Sequence, residues 1–576
     1  MKKPSGKVLV LGIDNRSSLT VIRSLGRRNL EVHIGWCTVD CEALYSKYIS
    51  KIQYIPFTKD ISWKDSLTSL MVREQYNIVI PCHDQTLIPL QLNRNYLEPF
   101  GMIYLLEDQV FDIAFDKFKA NDLAYSLGIP LPRGKIISDI SQVEAVLSEF
   151  KFPVILKPRS SFTIYNLENK YYVHKVYNPK ELRTCLLSLF SQGNVLIQEN
   201  FPGTGVGVEF IADHGEILLA FQHVRVHEPV TGGGSSYRKS VPIHAELIDA
   251  TRRLIKSLNY TGVAMIEFKF NFETGKWIFV EINGRFWGSL PLAVAAGADF
   301  PYYLYQLIVE GRRSFPQDYK VGLFCRNLTN DLGSLPQNLK LYYADPSSKA
   351  FSKKKVAEEL SNILLLRERS DTLVIDDPMP GLVELGRLIR KATLIIWIKI
   401  LLSMLDILPF RAFYAKKASL AFSRAKNVLF VCKGNICRSP FAQYFLLSLV
   451  GNSKKVMSCG YFPQSGRPSP REAIKAAQEW GIELKGHRSV LLSKEFIDFS
   501  DIVIVFDEDN LKTITTRYPS CKSKVYFLSL LGNNEPIAIA DPTGGDIDIY
   551  REVYHLIASI LTSCNASKPG LCRRKR

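Results

Sequence analysis

The sequence predicts a multidomain α/β protein, and three observations carry that expectation. Residues 7–115 alternate short apolar runs, at 7–12, 31–35 and 77–81, with helical patterns. That is the rhythm of a parallel sheet with crossover helices. Residues 263–270 and 277–283 alternate strictly on either side of a turn at 271–275, which predicts an antiparallel hairpin. Residues 428–449 read as an apolar run, a turn and a helix-like run, and the turn holds a cysteine and an arginine.

The chain has 576 residues, too many for one hydrophobic core, so two to four domains are expected. Hydrophobic residues at 46% and charged residues at 22% are ordinary for globular protein. Eleven cysteines are scattered without zinc-ligand spacing or a disulfide-like grid, which predicts a reducing, cytoplasmic setting. The first apolar run, residues 8–13, is too short for a signal peptide and reads as a strand.

In the first strand Gly12 is not followed by G-x-G-x-x-G, so a dinucleotide site is not expected. Beyond Asp116 the pattern changes. Residues 152–158 form a strand carrying Lys157, and residues 194–200 form another ending in Gln198 and Glu199. A hairpin centred on Thr274 sets Glu267 opposite Glu281 and puts Asn283 and Arg285 on the face of Glu281. Facing carboxylates repel unless something positive lies between them. With an amide oxygen they make an all-oxygen set suited to Mg²⁺ bound to phosphates. The plain alternative is a solvated hairpin face. Residues 231–236, Thr-Gly-Gly-Gly-Ser-Ser, read as a flexible loop that either covers an acceptor site or only connects strands.

Asp116-Lys117, Lys157, Gln198-Glu199, Glu267 and Glu281-Ile-Asn-Gly-Arg285 together resemble the ATP-grasp superfamily in order and spacing. The resemblance implies ATP held between two α+β lobes, behind a front domain, and an acyl-phosphate made from a small-molecule carboxylate for attack by an amine. It implies that Lys117 and Lys157 contact the nucleotide and that Gln198 and Glu199 line adenine and ribose. Glu267, Glu281 and Asn283 would hold Mg²⁺ or Mn²⁺, and Arg285 would neutralise the transferring phosphoryl group. The chain departs from the family after Lys157, where Pro158-Arg-Ser-Ser-Phe162 replaces a glycine-rich loop.

Residues 321–425 show no identifiable chemistry and are expected to be a helical linker. Near 392–410 the chain is strongly apolar except for Lys399, Ser403 and Asp406, which fall on one narrow helical stripe. An amphipathic helix lying in a membrane surface and a helix buried between domains fit equally. Net charge is +17 and uneven: residues 380–426 hold nine Lys/Arg against two acids, and residues 573–576 add four more cations. Aromatics are not interleaved with these charges, so an anionic membrane surface ranks above nucleic acid as a partner. The expected location is cytoplasmic, with peripheral membrane attachment a further expectation.

Val431-Cys432-Lys433-Gly434-Asn435-Ile436-Cys437-Arg438-Ser439-Pro440 follows the strand-like run 428–431. A cysteine, five residues, then Arg-Ser-Pro at a strand-to-helix turn makes a phosphate cradle, with backbone N–H groups converging on one anion at a helix start. Arg438 can grip two phosphate oxygens, and the positive field favours the attacking Cys432 thiolate. Ser439 can donate to that thiolate. Gly434 and Asn435 tolerate left-handed backbone. A buried strand-end cysteine beside a capping Ser-Pro is the plain alternative.

This string resembles the low-molecular-weight protein tyrosine phosphatases. So do the segments 456–460, 487–489 and 501–510, and the late Asp541-Pro542. The resemblance implies Cys432 as nucleophile forming a phosphocysteine, Asp541 as acid and then base, and a phosphotyrosyl protein as substrate. Thr543 stands where the family usually has an aromatic residue. Cys437 matches a second loop cysteine that either traps Cys432 as a disulfide or only packs.

The expected architecture is a front α/β domain at 1–115, a nucleotide-binding domain at 116–320, a linker at 321–425, a doubly wound parallel-sheet phosphatase domain at 426–565 and a basic tail at 566–576. The expected function is a phosphatase joined to an ATP-dependent ligase. The alternative is a phosphatase regulated by a front half that binds ATP without turnover.

Overall fold

The computed structural model describes residues 5–13, 16–38, 40–162, 167, 170–190, 193–228, 234–333, 358–359, 361–362, 365, 367–532 and 535–566. The loop residues 231–233 and the tail 567–576 lie outside the described residues. The chain divides into two compact units, Met1–Gly386 and Arg387–Arg576.

Among the described residues the first unit is built on three sheets. Strands β1 (Lys7–Leu11), β2 (Glu31–Gly35), β3 (Ile49–Ile52) and β4 (Ile78–Pro81) form a parallel sheet in the order β3-β2-β1-β4. The runs in β1 and β4 are apolar without alternation because helices cover both faces. Strands β5 (Gly134–Ile137), β6 (Val154–Pro158), β7 (His174–Val176) and β8 (Val195–Glu199) form an antiparallel sheet, β5-β8-β6-β7. The helices Val143–Glu149 and Pro179–Leu189 share its core through Val143, Val146, Leu182 and Leu186.

The third sheet has seven strands: β9 (Thr204–Asp213), β10 (Glu216–His227), β11 (Tyr237–Ser240), β12 (Gly262–Phe270), β13 (Trp277–Asn283), β14 (Phe324–Arg326) and β15 (Glu368–Ser370). Their order is β13-β12-β9-β10-β11-β14-β15. The alternation at 263–283 becomes the β12–β13 hairpin, with Glu267 opposite Glu281 and a bulge immediately after Glu267.

The expected linker beginning at residue 321 is corrected here. β14 and β15 extend the seven-stranded sheet, and the first unit runs on to Gly386. The turn-rich stretch after β15 holds the unit together through buried charge. Asp371 pairs with the fully buried Arg238 and accepts from Asn327 Nδ2 at 3.2 Å. Asp377 takes Arg23 Nε at 2.9 Å and Ser46 Oγ at 2.7 Å. Burial would raise the Asp371 pKa, but the Arg238 guanidinium holds it below its ordinary value. Removing one partner of such a pair strands a buried charge. Asp371→Ala should therefore cost about 3–5 kcal/mol, read by chemical denaturation of the full chain, with unfolding of the second unit as the control.

The apolar stretch near 392–410 is not a single helix. Helix Met379–Leu405 ends before Asp406, and helix Leu408–Arg424 leaves at 105°. Pro409 sits in the first turn of the second helix, where its missing N–H costs no hydrogen bond. Among the described residues no single helix is long and apolar enough to cross a membrane. Ile398 and Leu405 are buried in the second unit's core, with Leu394, Trp397, Leu401 and Leu402 packed beside them. Ile389, Ile396, Ile400 and Ile407 are exposed on the other side. One face of this segment is thus a structural part of the second unit.

That unit carries four parallel strands, β16 (Asn427–Cys432), β17 (Lys455–Gly460), β18 (Ile502–Val505) and β19 (Val525–Phe527), in the order β17-β16-β18-β19. The strand order reverses between β16 and β18. In doubly wound sheets a ligand crevice opens at that place, beyond the carboxyl ends of the strands.

Candidate active sites

Cys432 is the last residue of β16, and helix Arg438–Val450 begins six residues later. Its thiol is buried, lies 3.0 Å from Ser439 Oγ and accepts from the Asn435 backbone N–H at 3.2 Å. Both contacts suit a sulfur that carries charge. Asn435 is fully buried with φ +51°, a conformation that asparagine tolerates better than most residues. Its Nδ2 donates to Ser439 Oγ and Ser458 Oγ, each at 2.9 Å, and its Oδ1 accepts from Val490 N at 2.8 Å. His487 Nε2 lies 2.8 Å from Asn435 O. Burial holds the His487 pKa below its ordinary value, so the neutral ring can donate that bond. Ser458, Val490 and His487 thus fix the loop before any ligand arrives.

Arg438 is nearly fully buried. Its NH1 donates to Asp507 Oδ2 at 2.6 Å and to Ile539 O at 2.8 Å, and NH2 lies 2.8 Å from Asp541 Oδ2. Burial would lower the Arg438 pKa, but Cys432, Asp541 and Asp507 outweigh it and raise it. Asp541 is anchored further by Thr543 Oγ1, which donates to Asp541 Oδ1 at 2.9 Å. Thr543, standing where an aromatic residue was expected, therefore aims the carboxylate. Cys437 lies 3.6 Å from Thr543 Oγ1, and burial pushes its thiol up to about 12. It is protonated at neutral pH and no rival nucleophile. Both loop cysteines are free thiols. Lys433 and Gly434 bind through their backbone: Lys433 O accepts from Tyr461 N and Phe462 N, and Gly434 O accepts from Arg467 NH2 at 2.6 Å.

The first unit holds a cavity of about 1460 Å³. That exceeds the usual range of small-molecule pockets, about 300–1,000 Å³, and leaves room for a nucleotide and a second substrate. Lys117, Lys157, Gln198, Glu199, Glu267, Glu281, Asn283 and Arg285, dispersed over 169 positions of sequence, all line it. Lys117 Nζ lies 3.7 Å from Glu281 Oε2, and Asn283 Nδ2 lies 3.4 Å from Glu281 Oε1. Burial would raise the Glu281 pKa, but Lys117, Lys157, Arg285 and Arg225 hold it below its ordinary value. Burial raises that of Glu267, against the pull of Arg225. Lys157 Nζ donates to Val280 O at 3.3 Å, and burial pulls its pKa down to about 8. Gln198 keeps a buried Oε1 with no partner among the described residues, an acceptor fit for an exocyclic amino group. Glu199 is exposed and pairs with Arg133 at 3.2 Å.

Two residues that answer the charge problem were not picked out from the sequence. Arg225 NH2 lies 2.6 Å from Glu267 Oε2, and Asp84 takes the Arg285 guanidinium, with NH2 to Oδ2 at 3.1 Å. Arg225 lies 42 positions before Glu267 on a strand two places away in the sheet. Among the described residues no group of three His, Cys, Asp or Glu could hold a metal alone. Glu267, Glu281 and the Asn283 amide fit a hard divalent cation that takes its remaining oxygens from phosphate and water.

These two sites define an ATP-grasp module and a cysteine-loop phosphatase. Residues 191–329 match the family model described as ATP-grasp in the biosynthetic pathway with Ter operon, and residues 427–567 match low molecular weight phosphotyrosine protein phosphatase. The second stretch is 37% identical over 125 residues to a protein-arginine-phosphatase of Geobacillus stearothermophilus, covering 22% of this chain and 84% of that protein. It is 35% identical over 133 residues to the probable low molecular weight protein-tyrosine-phosphatase EpsP of Ralstonia nicotianae, covering 23% and 88%. Through that stretch the chain belongs to the low molecular weight phosphatase family. The fold is also similar to N5-carboxyaminoimidazole synthetase from Staphylococcus aureus in complex with ADP, at 16% identity and TM-score 0.46, covering 59% of this chain and 87% of that one.

Proposed function

We propose that the chain is a bifunctional enzyme: a protein tyrosine phosphatase working through a phosphocysteine, joined to an Mg-ATP-dependent ligase that activates a carboxylate for attack by an amine. The observation that carries the phosphatase half is the Arg438–Asp541 contact beside Cys432. A phosphate entering the loop competes with Asp541 for the guanidinium. Once released, Asp541 can take a proton and deliver it to the leaving phenolate. Cys432 attacks phosphorus as that P–O bond breaks, and Ser439, 3.0 Å away, stabilises the sulfur when water later displaces it. Splitting the reaction at sulfur makes two easier displacements out of one hard one.

Between a phosphorylated tyrosine and a phosphorylated arginine, Ile436 favours the ring. It is the loop's one branched aliphatic residue, half-buried against the core. It offers no acceptor to a guanidinium, which brings several N–H donors. The full chain should hydrolyse phosphotyrosyl peptides at least about tenfold faster than phosphoarginyl peptides of the same sequence. The reverse order overturns this assignment.

The ligase half is supported by the convergence of Lys117, Lys157, Glu267, Glu281, Asn283 and Arg285 on one cavity. ATP bound there supplies the phosphoryl group. The two lysines and Arg285 would neutralise phosphate charge, and Glu267, Glu281 and Asn283 would hold Mg²⁺ against it. The test is ADP release by the full chain over paired carboxylates and amines. Release that needs both establishes a ligase, whereas ATP binding without such release supports the regulatory alternative. Lys157 adds a pH signature. Its charged form binds phosphate and is lost as pH rises through about 8. ATP affinity should therefore weaken between about pH 7 and pH 9, more in the wild type than in Lys157→Arg.

A further inference from the structure

The seven-stranded sheet arranges the cavity floor in ladder rows. Glu281 of β13 stands opposite Glu267 of β12, Glu267 opposite Gly207 of β9, and Gly207 opposite His223 of β10. Residues paired across a ladder project from the same face. The row therefore reads carboxylate, carboxylate, gap, imidazole. The gap is required: a Cβ at position 207 would lie 2.4 Å from His223 Cε1 and 2.9 Å from Met265 Sδ. In the next row Asn283 stands opposite Met265, and Met265 opposite Glu209.

Glu209 is fully buried. Its Oε1 accepts from Ser289 Oγ at 2.9 Å and lies 2.7 Å from His223 Nδ1. The latter is a close approach, bent away from the line of an aligned N–H bond. His223 is only 1% exposed, yet it forms cavity wall together with Met265, Trp287 and Ser289. With Nδ1 turned to Glu209, Nε2 is the ring nitrogen left for a ligand. Strands lie about 4.8 Å apart, so the imidazole stands roughly 10 Å from Glu267, two strands along. A phosphate and one small acyl group would fit that interval.

We propose that His223 is the catalytic base of the amine-transfer step, with Glu209 as its positioning residue, and that the amine subsite lies beyond Gly207 from the metal carboxylates. The proposal rests on the ligase reading above. In the step, the amine nitrogen forms a bond to the acyl carbon and the C–O bond to phosphate breaks. The phosphate leaves with that electron pair, and the proton lost from nitrogen passes to His223 Nε2 and then to solvent. A carboxylate beside the ring stabilises the imidazolium so formed.

The experiment uses the full chain as wild type, His223→Gln and Gly207→Ala, and takes the carboxylate that gives most ADP release in the wild type. Two nucleophiles are compared, ammonia and hydroxylamine. Ammonia is mostly protonated at neutral pH and must shed a proton. Hydroxylamine is mostly neutral and attacks acyl-phosphates without a base. In His223→Gln hydroxamate formation should stay within about threefold of wild type while amide formation falls on the order of a hundredfold. In Gly207→Ala, whose added Cβ meets the ring, amide formation should fall further than hydroxamate formation. Retained hydroxamate formation shows that the nucleotide and carboxylate sites are folded. Amide formation at the wild-type rate in His223→Gln, or an equal fall with both nucleophiles, overturns the proposal. If the wild type makes neither product from any of the carboxylates screened, the ligase reading fails and the base role falls with it.

Discussion

Replacing Cys432 with serine should reduce p-nitrophenyl phosphate hydrolysis on the order of 10⁴-fold or more, with the fold intact. Serine matches the thiol in shape, so the 3.0 Å contact to Ser439 and the Asn435 N–H bond keep an acceptor. The hydroxyl is far less ionised than a thiol, however, and it is a far worse leaving group when water must displace it. The expected signature is lost turnover with phosphate or vanadate affinity retained, because the backbone donors and Arg438 are untouched. Cys437→Ser should keep most activity. Its thiol, pushed up to about 12 by burial and bonded to Thr543 and Tyr550, takes no part in attack.

The second large effect is expected at Glu281. This carboxylate offsets Lys117 at 3.7 Å and answers the charges of Lys157, Arg285 and Arg225. Glu281→Gln removes the anion and leaves these cations facing each other in a partly dry cavity. It also removes one of the two carboxylate sources for the metal. Breaking a charge cluster on one side destabilises the fold, and losing a metal carboxylate should weaken ATP affinity in the presence of Mg²⁺ by at least about 10–100-fold, the cost typical of disturbing the groups that support a metal. Isothermal titration of the full chain reads this directly. p-Nitrophenyl phosphate hydrolysis by the same sample shows that the chain has folded. Unchanged ATP affinity would remove Glu281 from the site.

The most legible features were those set by short-range spacing. Cys432 through Pro440 fixes a strand, a loop and a helix start within ten residues, and only Asn435 at positive φ closes it. The Glu267–Glu281 pairing followed from period two around Thr274, since a one-residue slip would turn every side chain to the other face. What resolved the repulsion was not legible. Arg225 and Asp84 reach the site from strands and helices far away in sequence, and neither carries a local signal. The stretch 321–386 was misjudged because its role is tertiary. Asp371 and Asp377 look like turn residues, and only the fold brings Arg238 and Arg23 to them. The helix bend after Leu405 was missed because apolar content was weighed above Pro409, which marks a first turn.

The account stands on a covalent intermediate at the end of β16. Asp541→Ala protein mixed with p-nitrophenyl phosphate and quenched in alkaline denaturant, where a sulfur-bound phosphoryl group survives, tests it most directly. The good leaving group needs no acid, and the missing carboxylate slows hydrolysis of the intermediate, so it should accumulate. Peptide mass analysis should find one added phosphoryl group on the Cys432 peptide, located on sulfur and lost in Cys432→Ser. Steady turnover with no covalent phosphoryl group, or a phosphoryl group on any other residue, would contradict it.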